Sequence, residues 1–165
     1  MPGAAGPDPV VLRPVAELRG LAQEVVESFT AALERLRIPA TVHHIGATSL
    51  LSGHTKGDVD VYVRVDGAHF PGLVDEPSLR LAIAQPEHWT PTFASFSAPG
   101  YALPLGVQVT VAGSPDDFLL ALGDRMRGDP ELLQRYDEAK VAAADRGADA
   151  YWQAKNHFLR PLRPR

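Results

Sequence analysis

The chain has 165 residues, of which 45% are hydrophobic and 22% are charged. These values are typical of a globular protein, and the length predicts a single domain spanning residues 1–165. The absence of cysteine excludes disulfides, thiolate metal sites and a cysteine nucleophile. The net charge of −4 makes nucleic acid an unlikely partner, because binding to it depends on lysine and arginine at the phosphates.

The first segment, residues 1–9, is rich in glycine, alanine and proline and predicts a flexible tail. It lacks the basic segment and the apolar core of a signal peptide. No run in the chain approaches the ~20 apolar residues that a membrane-spanning helix needs. We therefore expect a cytoplasmic protein that has no membrane partner.

The first half of the chain predicts one helix and two strands. Apolar residues recur at intervals of three and four over residues 14–36, which indicates a helix that begins at Pro14. Residues 41–45 and 58–65 are rich in β-branched residues and predict strands. Asp66 and Gly67 form a turn signal after the second strand.

The second half predicts two further strands and several helices. A short helix is expected over residues 78–83, followed by strands over residues 92–98 and 106–111. Three helices are expected after that, over residues 115–127, 130–144 and 148–159, with Ser114 and Asp129 as N-caps of the first two. This order predicts an α/β (α+β) fold, with a mixed sheet flanked by helices and a C-terminal helical portion.

The residues that suggest a function lie around the first two strands. Because successive strand side chains point to opposite faces, Asp58 and Asp60 project together. Two neighbouring carboxylates repel each other unless a cation lies between them, and Mg²⁺ favours one or two carboxylates completed by water and substrate phosphate. Gly46 allows a phosphate to approach closely, and the hydroxyls of Thr48 and Ser49 can donate to it.

Each of these features also has a purely structural interpretation. The turn at residues 46–49 fits a strand-to-helix connection that Thr48 or Ser49 caps. Asp58 and Asp60 fit the charged solvent face of an edge strand. The combination of turn and acid pair at this spacing favours a phosphate or metal site.

The same residues carry a family resemblance. The run His44-Ile45-Gly46-Ala47-Thr48-Ser49, followed by Lys56 and Asp60, resembles the GrpB family motif H-I-G-S-T-S-V-P-G-L-x-x-K-P-x-I-D-I. The resemblance extends to Ala112-Gly113-Ser114-Pro115 and to two tyrosine–lysine pairs, Tyr136 with Lys140 and Tyr151 with Lys155. It covers about residues 42–159. We therefore identify the chain as a member of the GrpB family, within the nucleotidyltransferase superfamily.

The resemblance implies a fold, a cofactor and a set of site residues. In the superfamily, the turn holds a triphosphate and the acids hold metal ions, so it implies Mg²⁺ and a nucleoside triphosphate or phosphorylated small molecule. Asp58 and Asp60 take the catalytic and metal-binding positions. The implied nucleotide-binding or phosphate-binding residues are His44, Gly46, Ala47, Thr48, Ser49, Lys56, Lys140 and Lys155. The tyrosine–lysine spacing equally fits ordinary amphipathic helices whose lysines reach solvent.

Departures from the family pattern leave more than one function open. Asp58 adds an acid that typical members lack, whereas Gln108 and Thr110 stand where active nucleotidyltransferases often carry a third carboxylate. One function is Mg²⁺-dependent nucleotidyl transfer to a hydroxyl of a small molecule or protein. A second is a non-catalytic binding or accessory module, because some family members are joined to a coenzyme A biosynthetic kinase. A third is phosphodiester hydrolysis.

The position of a third acid separates the first two functions. Transfer is favoured if a loop acid, Asp116 or Asp117, reaches the pair. Binding is favoured if Gln108 or Thr110 fills that place.

Overall fold

A computed structural model describes residues 7–165 and shows a mixed sheet with helices packed on it. The strands are β1 (Arg13–Pro14), β2 (Ala40–Ile45), β3 (His54–Thr55), β4 (Val59–Val65), β5 (Ala82–Ile83), β6 (Phe93–Ala98) and β7 (Leu105–Val111). The helices are α1 (Val15–Glu34), α2 (Phe70–Val74), α3 (Leu119–Gly128), α4 (Pro130–Ala144) and α5 (Ala148–Leu159). Five strands form one sheet in the order β2-β4-β7-β6-β5, and β1 pairs separately with β3.

The centre of the sheet is a parallel pair, and its two strands bury one apolar face. β4 runs parallel to β7 and antiparallel to β2. Val59, Val61, Val63 and Val65 alternate along β4 and are each at most 2% exposed. They share a core with Phe29 and other buried residues of α1. Burial of each such side chain stabilises the fold by roughly 1.5–3 kcal/mol, so this face anchors the position of β4.

The opposite face of β4 carries polar residues, one of which is the predicted site residue Asp60. By strand alternation, Asp60, Tyr62 and Arg64 point away from the valines. A second apolar cluster joins the segment after β2 to the C-terminal helices; it comprises Leu50, Met126, Leu132, Leu133 and Tyr136. α4 begins as predicted, because Asp129 Oδ1 accepts a hydrogen bond of 3.0 Å from the Leu132 N–H. The helices α3 to α5 therefore lie close to the turn after β2.

Most predicted elements are present within two residues of their expected bounds, and two are wrong. The helix expected over residues 78–83 is absent; α2 lies earlier, a short 3₁₀ turn spans Pro77–Leu79, and β5 follows. The left-handed conformation of Arg80, with φ of 51°, ends that turn. The helix expected from residue 115 begins at Leu119 instead, and Ser114 does not cap it. Asp116 and Asp117 draw the preceding segment onto the sheet, as described below.

The flexible tail predicted for residues 1–9 lies mostly outside the described residues, which begin at residue 7. Just after it, the Val10 N–H donates to the Ala144 carbonyl at 2.9 Å, so residue 10 is held against the end of α4. Across residues 7–165, every helix is too short or too polar to cross a bilayer.

Candidate functional site

The glycine turn follows β2 directly and closes on itself. Gly46 has φ of 74°, a conformation that L side chains rarely adopt. A single 3₁₀ turn, Ala47–Ser49, follows it. The Ser49 N–H and hydroxyl both donate to the Gly46 carbonyl, at 3.1 and 2.6 Å. The Ser49 hydroxyl therefore has a partner within the turn.

His44 supports the turn and does not face the acids. Its Nε2 lies 2.9 Å from Thr48 Oγ1, and Thr48 is buried. His44 is opposite Val61 in the register, so by strand alternation it lies on the valine face of the sheet. Burial, aided by the positive charge of Arg127, lowers the pKa of His44 and favours the neutral imidazole. His44 thus holds the turn from the face opposite to Asp60.

Asp60 lies between Gly46, which follows β2, and Gly106 of β7. It is opposite Ile45, the last residue of β2, on one side and opposite Gly106 of β7 on the other. A Cβ atom placed on Gly46 would lie 2.7 Å from Asp60 Oδ2, and one placed on Gly106 would lie even closer to Oδ1. Both glycines therefore leave the space that the carboxylate fills. This contact brings the predicted turn and the predicted acid into one site.

Ionisation of the Asp60 carboxylate is electrostatically unfavourable in the free protein. Burial and the negative charge of Asp58 raise the pKa of Asp60 to about 6, against the opposing effect of Lys155 and Lys56. Within residues 7–165, neither oxygen of Asp60 accepts a hydrogen bond. A partly buried carboxylate with a like charge nearby and no donor from the described residues is an arrangement that a bound cation relieves.

Two lysines accompany the acid pair. The Lys56 Nζ lies 3.3 Å from Asp58 Oδ2, and Asp58 is 30% exposed. Lys155 lies over the ring of Tyr151, with its Nζ 5.5 Å from the ring centre. Burial lowers the pKa of Lys155, while the charges of Asp58 and Asp60 act to raise it. The two acids and two lysines together carry no net charge.

Lys140 has a different position from Lys155, although both follow a tyrosine by four residues. Lys140 is 2% exposed and donates to the carbonyl of His54. Its Nζ also lies 3.6 Å from Asp137 Oδ1. Burial lowers the pKa of Lys140 to about 8, against the opposing charge of Asp137. Lys140 therefore supports the loop before the acid pair, whereas the charges of both acids act on Lys155.

The two loop acids do not reach the pair. Asp117 accepts hydrogen bonds from Arg64 at 2.6 and 2.9 Å and from the Tyr62 hydroxyl at 3.0 Å. The Arg64 guanidinium holds the pKa of Asp117 below its ordinary value. Asp116 accepts from the hydroxyls of Thr90 and Thr92, at 2.6 Å each. Asp117 fastens the segment after β7 to β4, farther along that strand than the site, and Asp116 fastens it to the loop before β6.

No carboxylate stands beside the pair on β7 either. The residue opposite Asp60 is Gly106, while Gln108 and Thr110 are opposite Tyr62 and Arg64. Within residues 7–165, no three His, Cys, Asp or Glu side chains are grouped as a metal site. The site consequently has two acids, and a neutral side chain occupies each strand position predicted for a third.

Sequence reasoning missed three residues around the site. Gly106 carried a usable signal, because a glycine inside a strand often marks the close approach of another group. His54 and Asp137 carried none, since they are 83 residues apart and meet only in the folded chain.

A separate cleft contains none of the predicted site residues. It lies beside α2 and is lined by Leu81, Trp89 and Phe96, among others. The chemistry-bearing residues thus lie elsewhere on the protein.

Comparisons with known proteins match nearly the whole chain. A family model described as GrpB protein matches residues 11–165. The UPF0157 protein VC_A0354 of Vibrio cholerae serotype O1 is 26% identical over 144 residues, covering 87% of this chain and 76% of that protein. The crystal structure of conserved protein GrpB from Enterococcus faecalis matches with a TM-score of 0.68 at 18% identity, covering 92% of this chain and 99% of that one. At that identity, the structural match shows a shared fold.

Proposed function

This chain belongs to the GrpB family, and we propose that its acid pair and glycine turn bind a nucleoside triphosphate, or another phosphorylated small molecule, together with Mg²⁺. The observation that carries the proposal is the contact between the turn and the acid. Asp60 fills the space left by Gly46 and Gly106, so the turn and the carboxylate face the same small volume.

The residues present fit Mg²⁺. Asp58 and Asp60 would hold the ion, and the raised pKa of Asp60 and its lack of donors within residues 7–165 reflect a charge in need of compensation. Two carboxylates suit an ion that keeps waters and takes further ligands from a substrate phosphate. When bound, the ion would neutralise the negative charge of the phosphate.

The turn and the lysines would hold the phosphate. The first N–H groups of a helical turn have no partner inside it, so those of Ala47 and Thr48 are available as donors. Lys56 and Lys155 add positive charge beside the acids. The hydroxyls of Thr48 and Ser49 already have partners in the turn region, so we assign the phosphate contacts to the backbone and the lysines.

Binding is the function that this geometry supports best. The site has two acids, and the loop acids that could supply a third are held by Arg64 and by threonines. Nucleotidyl transfer is the second candidate. The observation that favours it is Asp58, a second acid that lies just before β4 and whose charge acts on Asp60.

A thermal-shift panel tests the binding proposal. Nucleoside triphosphates and coenzyme A are added to the wild type with and without Mg²⁺. A ligand that binds only the native state at a hundredfold excess over its Kd stabilises it by about 2.7 kcal/mol. We expect stabilisation by at least one triphosphate only in the presence of Mg²⁺.

Two variants and one product assay complete the test. Asp60→Asn should abolish the shift, whereas Asp66→Asn, at an exposed acid that pairs with His69, should keep it. Absence of any Mg²⁺-dependent shift in the wild type would contradict the proposal. Release of pyrophosphate on addition of an acceptor would support transfer beyond binding.

A further inference from the structure

The loop between the turn and the acid pair contains His54, whose backbone N–H, ring and backbone carbonyl each make a polar contact with α4. The backbone N–H of His54 donates to Asp137 Oδ1 at 2.6 Å, and its Nδ1 lies 2.8 Å from Asp137 Oδ2. The carbonyl of His54 accepts a hydrogen bond from the buried ammonium of Lys140. Two residues of α4 therefore fix both the backbone and the ring of His54.

The contacts that hold His54 cost folding free energy, which argues that they serve a function. Lys140 is 2% exposed, and burial of an ammonium group is unfavourable unless it is paired. Gly53 has φ of 100°, and a Cβ atom there would lie 2.8 Å from Asp137 Oδ1. The contact between His54 and Asp137 therefore requires a glycine at residue 53 and accompanies a buried charge on Lys140.

The contact with Asp137 determines which nitrogen of the His54 ring is the donor. Burial acts to raise the pKa of Asp137, but the hydrogen bonds from His54 outweigh it and the pKa lies below its ordinary value. An ionised carboxylate only accepts, so Nδ1 carries the hydrogen. In the neutral ring, the Nε2 atom keeps its lone pair, and the side chain is 43% exposed.

His54 lies on the same side of its segment as the lysine that contacts the acid pair. Thr55 is fully buried, and its hydroxyl accepts from the Gly57 N–H. The side chains of His54 and Lys56 are 43% and 41% exposed while Thr55 between them is buried, so His54 and Lys56 leave the segment on the side opposite to Thr55. Lys56 reaches Asp58 from that side, at 3.3 Å. His54 therefore stands two residues before the lysine that contacts the acid pair, on the same side of the chain.

When the His54 ring is neutral, the lone pair on its Nε2 selects a hydrogen-bond donor. Phosphate oxygens are acceptors and cannot bond to it, whereas a hydroxyl group can. We propose that His54 is a ligand-contacting residue of the same site, whose Nε2 accepts a hydrogen bond from a sugar hydroxyl of the phosphorylated ligand, and that Asp137 is its positioning residue. The inference rests on the proposed ligand site, because it assigns a further contact to the same ligand.

The chain offers a matched control for the test. His69 makes the same kind of pair with Asp66, through its backbone N–H at 2.9 Å and its Nδ1 at 2.8 Å. That pair is exposed and lies after β4, away from the turn. His54→Asn keeps an N–H group that can reach Asp137 and removes the outer nitrogen, and His69→Asn makes the same change at the control pair.

The experiment is calorimetry with Mg²⁺-ATP and Mg²⁺-2′,3′-dideoxyATP on the wild type and both variants. We expect His54→Asn to weaken ATP binding about tenfold, the effect of one lost hydrogen bond, and to leave dideoxyATP binding unchanged. His69→Asn should change neither. Equal losses for both nucleotides, or no loss, would overturn the assignment of His54.

A second test uses only the wild-type protein and therefore does not depend on the folding of a variant. Nitrogen-15 NMR of the histidine rings should show His54 with its hydrogen on Nδ1, and Mg²⁺-ATP should move the His54 Nε2 resonance and not that of His69. A His54 resonance that stays in place while ATP binds would contradict this inference alone. Failure of ATP to bind the wild type would overturn the His54 assignment, whereas only the absence of any Mg²⁺-dependent shift across the thermal-shift panel would contradict the proposed function as well.

Discussion

Replacement of Asp60 by asparagine should stabilise the protein at neutral pH. In the folded chain the pKa of Asp60 is about 6, against an ordinary value of 3.8, because of burial and the charge of Asp58. Each pKa unit corresponds to ~1.4 kcal/mol, so ionisation of Asp60 costs the folded state on the order of 3 kcal/mol. Asparagine has nearly the same shape, fits between the two glycines and carries no charge.

The pH dependence of this cost follows from the upward direction of the Asp60 pKa shift. Between about pH 4 and pH 6 the folded state binds the proton of Asp60 and the unfolded state does not, so stability falls as the pH rises. Below pH 3.8 the cost vanishes, and above about pH 6 it is complete. Urea unfolding of the wild type and Asp60→Asn at pH 4 and pH 7.5 measures the difference.

The expected result is a variant that is more stable than the wild type by up to about 3 kcal/mol at pH 7.5 and by much less at pH 4. Saturating Mg²⁺ with a bound triphosphate should raise the stability of the wild type and not that of the variant. A variant that is no more stable than the wild type at pH 7.5 would refute the claim that the ionised Asp60 carboxylate destabilises the free protein.

Three further substitutions test the packing and polar contacts of the fold. Gly106→Ala should destabilise by roughly 1–3 kcal/mol in urea unfolding, because the added methyl meets the Asp60 carboxylate; a neutral effect would contradict the close contact. Gly20→Ala should stabilise by about 0.5–1 kcal/mol, since its Cβ enters open space on a helix, and a loss of stability there would count against the bounds of α1. Asp117→Asn should lower the thermal midpoint, with a loss of roughly 1–3 kcal/mol, because it breaks the paired hydrogen bonds with Arg64; an unchanged midpoint would mean that this pair contributes nothing.

Local patterns predicted the elements that are themselves locally determined. The helical spacing of residues 14–36 and the cap at Asp129 depend on neighbours in the sequence, and both are present in the structure. The helix expected from residue 115 failed because Asp117 bonds to Arg64, 53 residues earlier in the chain. A contact at that separation leaves no trace in the local pattern.

The residues of the candidate site likewise divide into those that the local pattern predicted and those whose position depends on tertiary contacts. Alternation along β4 placed Asp60 on the polar face, and the spacing of the motif placed Gly46 nearby. The sequence did not reveal that His44 faces away from Asp60, since that depends on which face of β2 the core covers. Nor did it distinguish Lys140 from Lys155, because their shared spacing after a tyrosine fixes a helix face and not what that face meets.

The central claim is that Asp58, Asp60 and the turn at residues 46–49 hold one metal ion and one phosphorylated ligand together. Crystals grown with Mn²⁺ and a non-hydrolysable nucleoside triphosphate test it most directly, because Mn²⁺ gives an anomalous signal. The account predicts an anomalous peak in contact with Asp58 and Asp60, with the polyphosphate lying against the turn. A bound nucleotide whose phosphates and metal ion lie on another surface would contradict it.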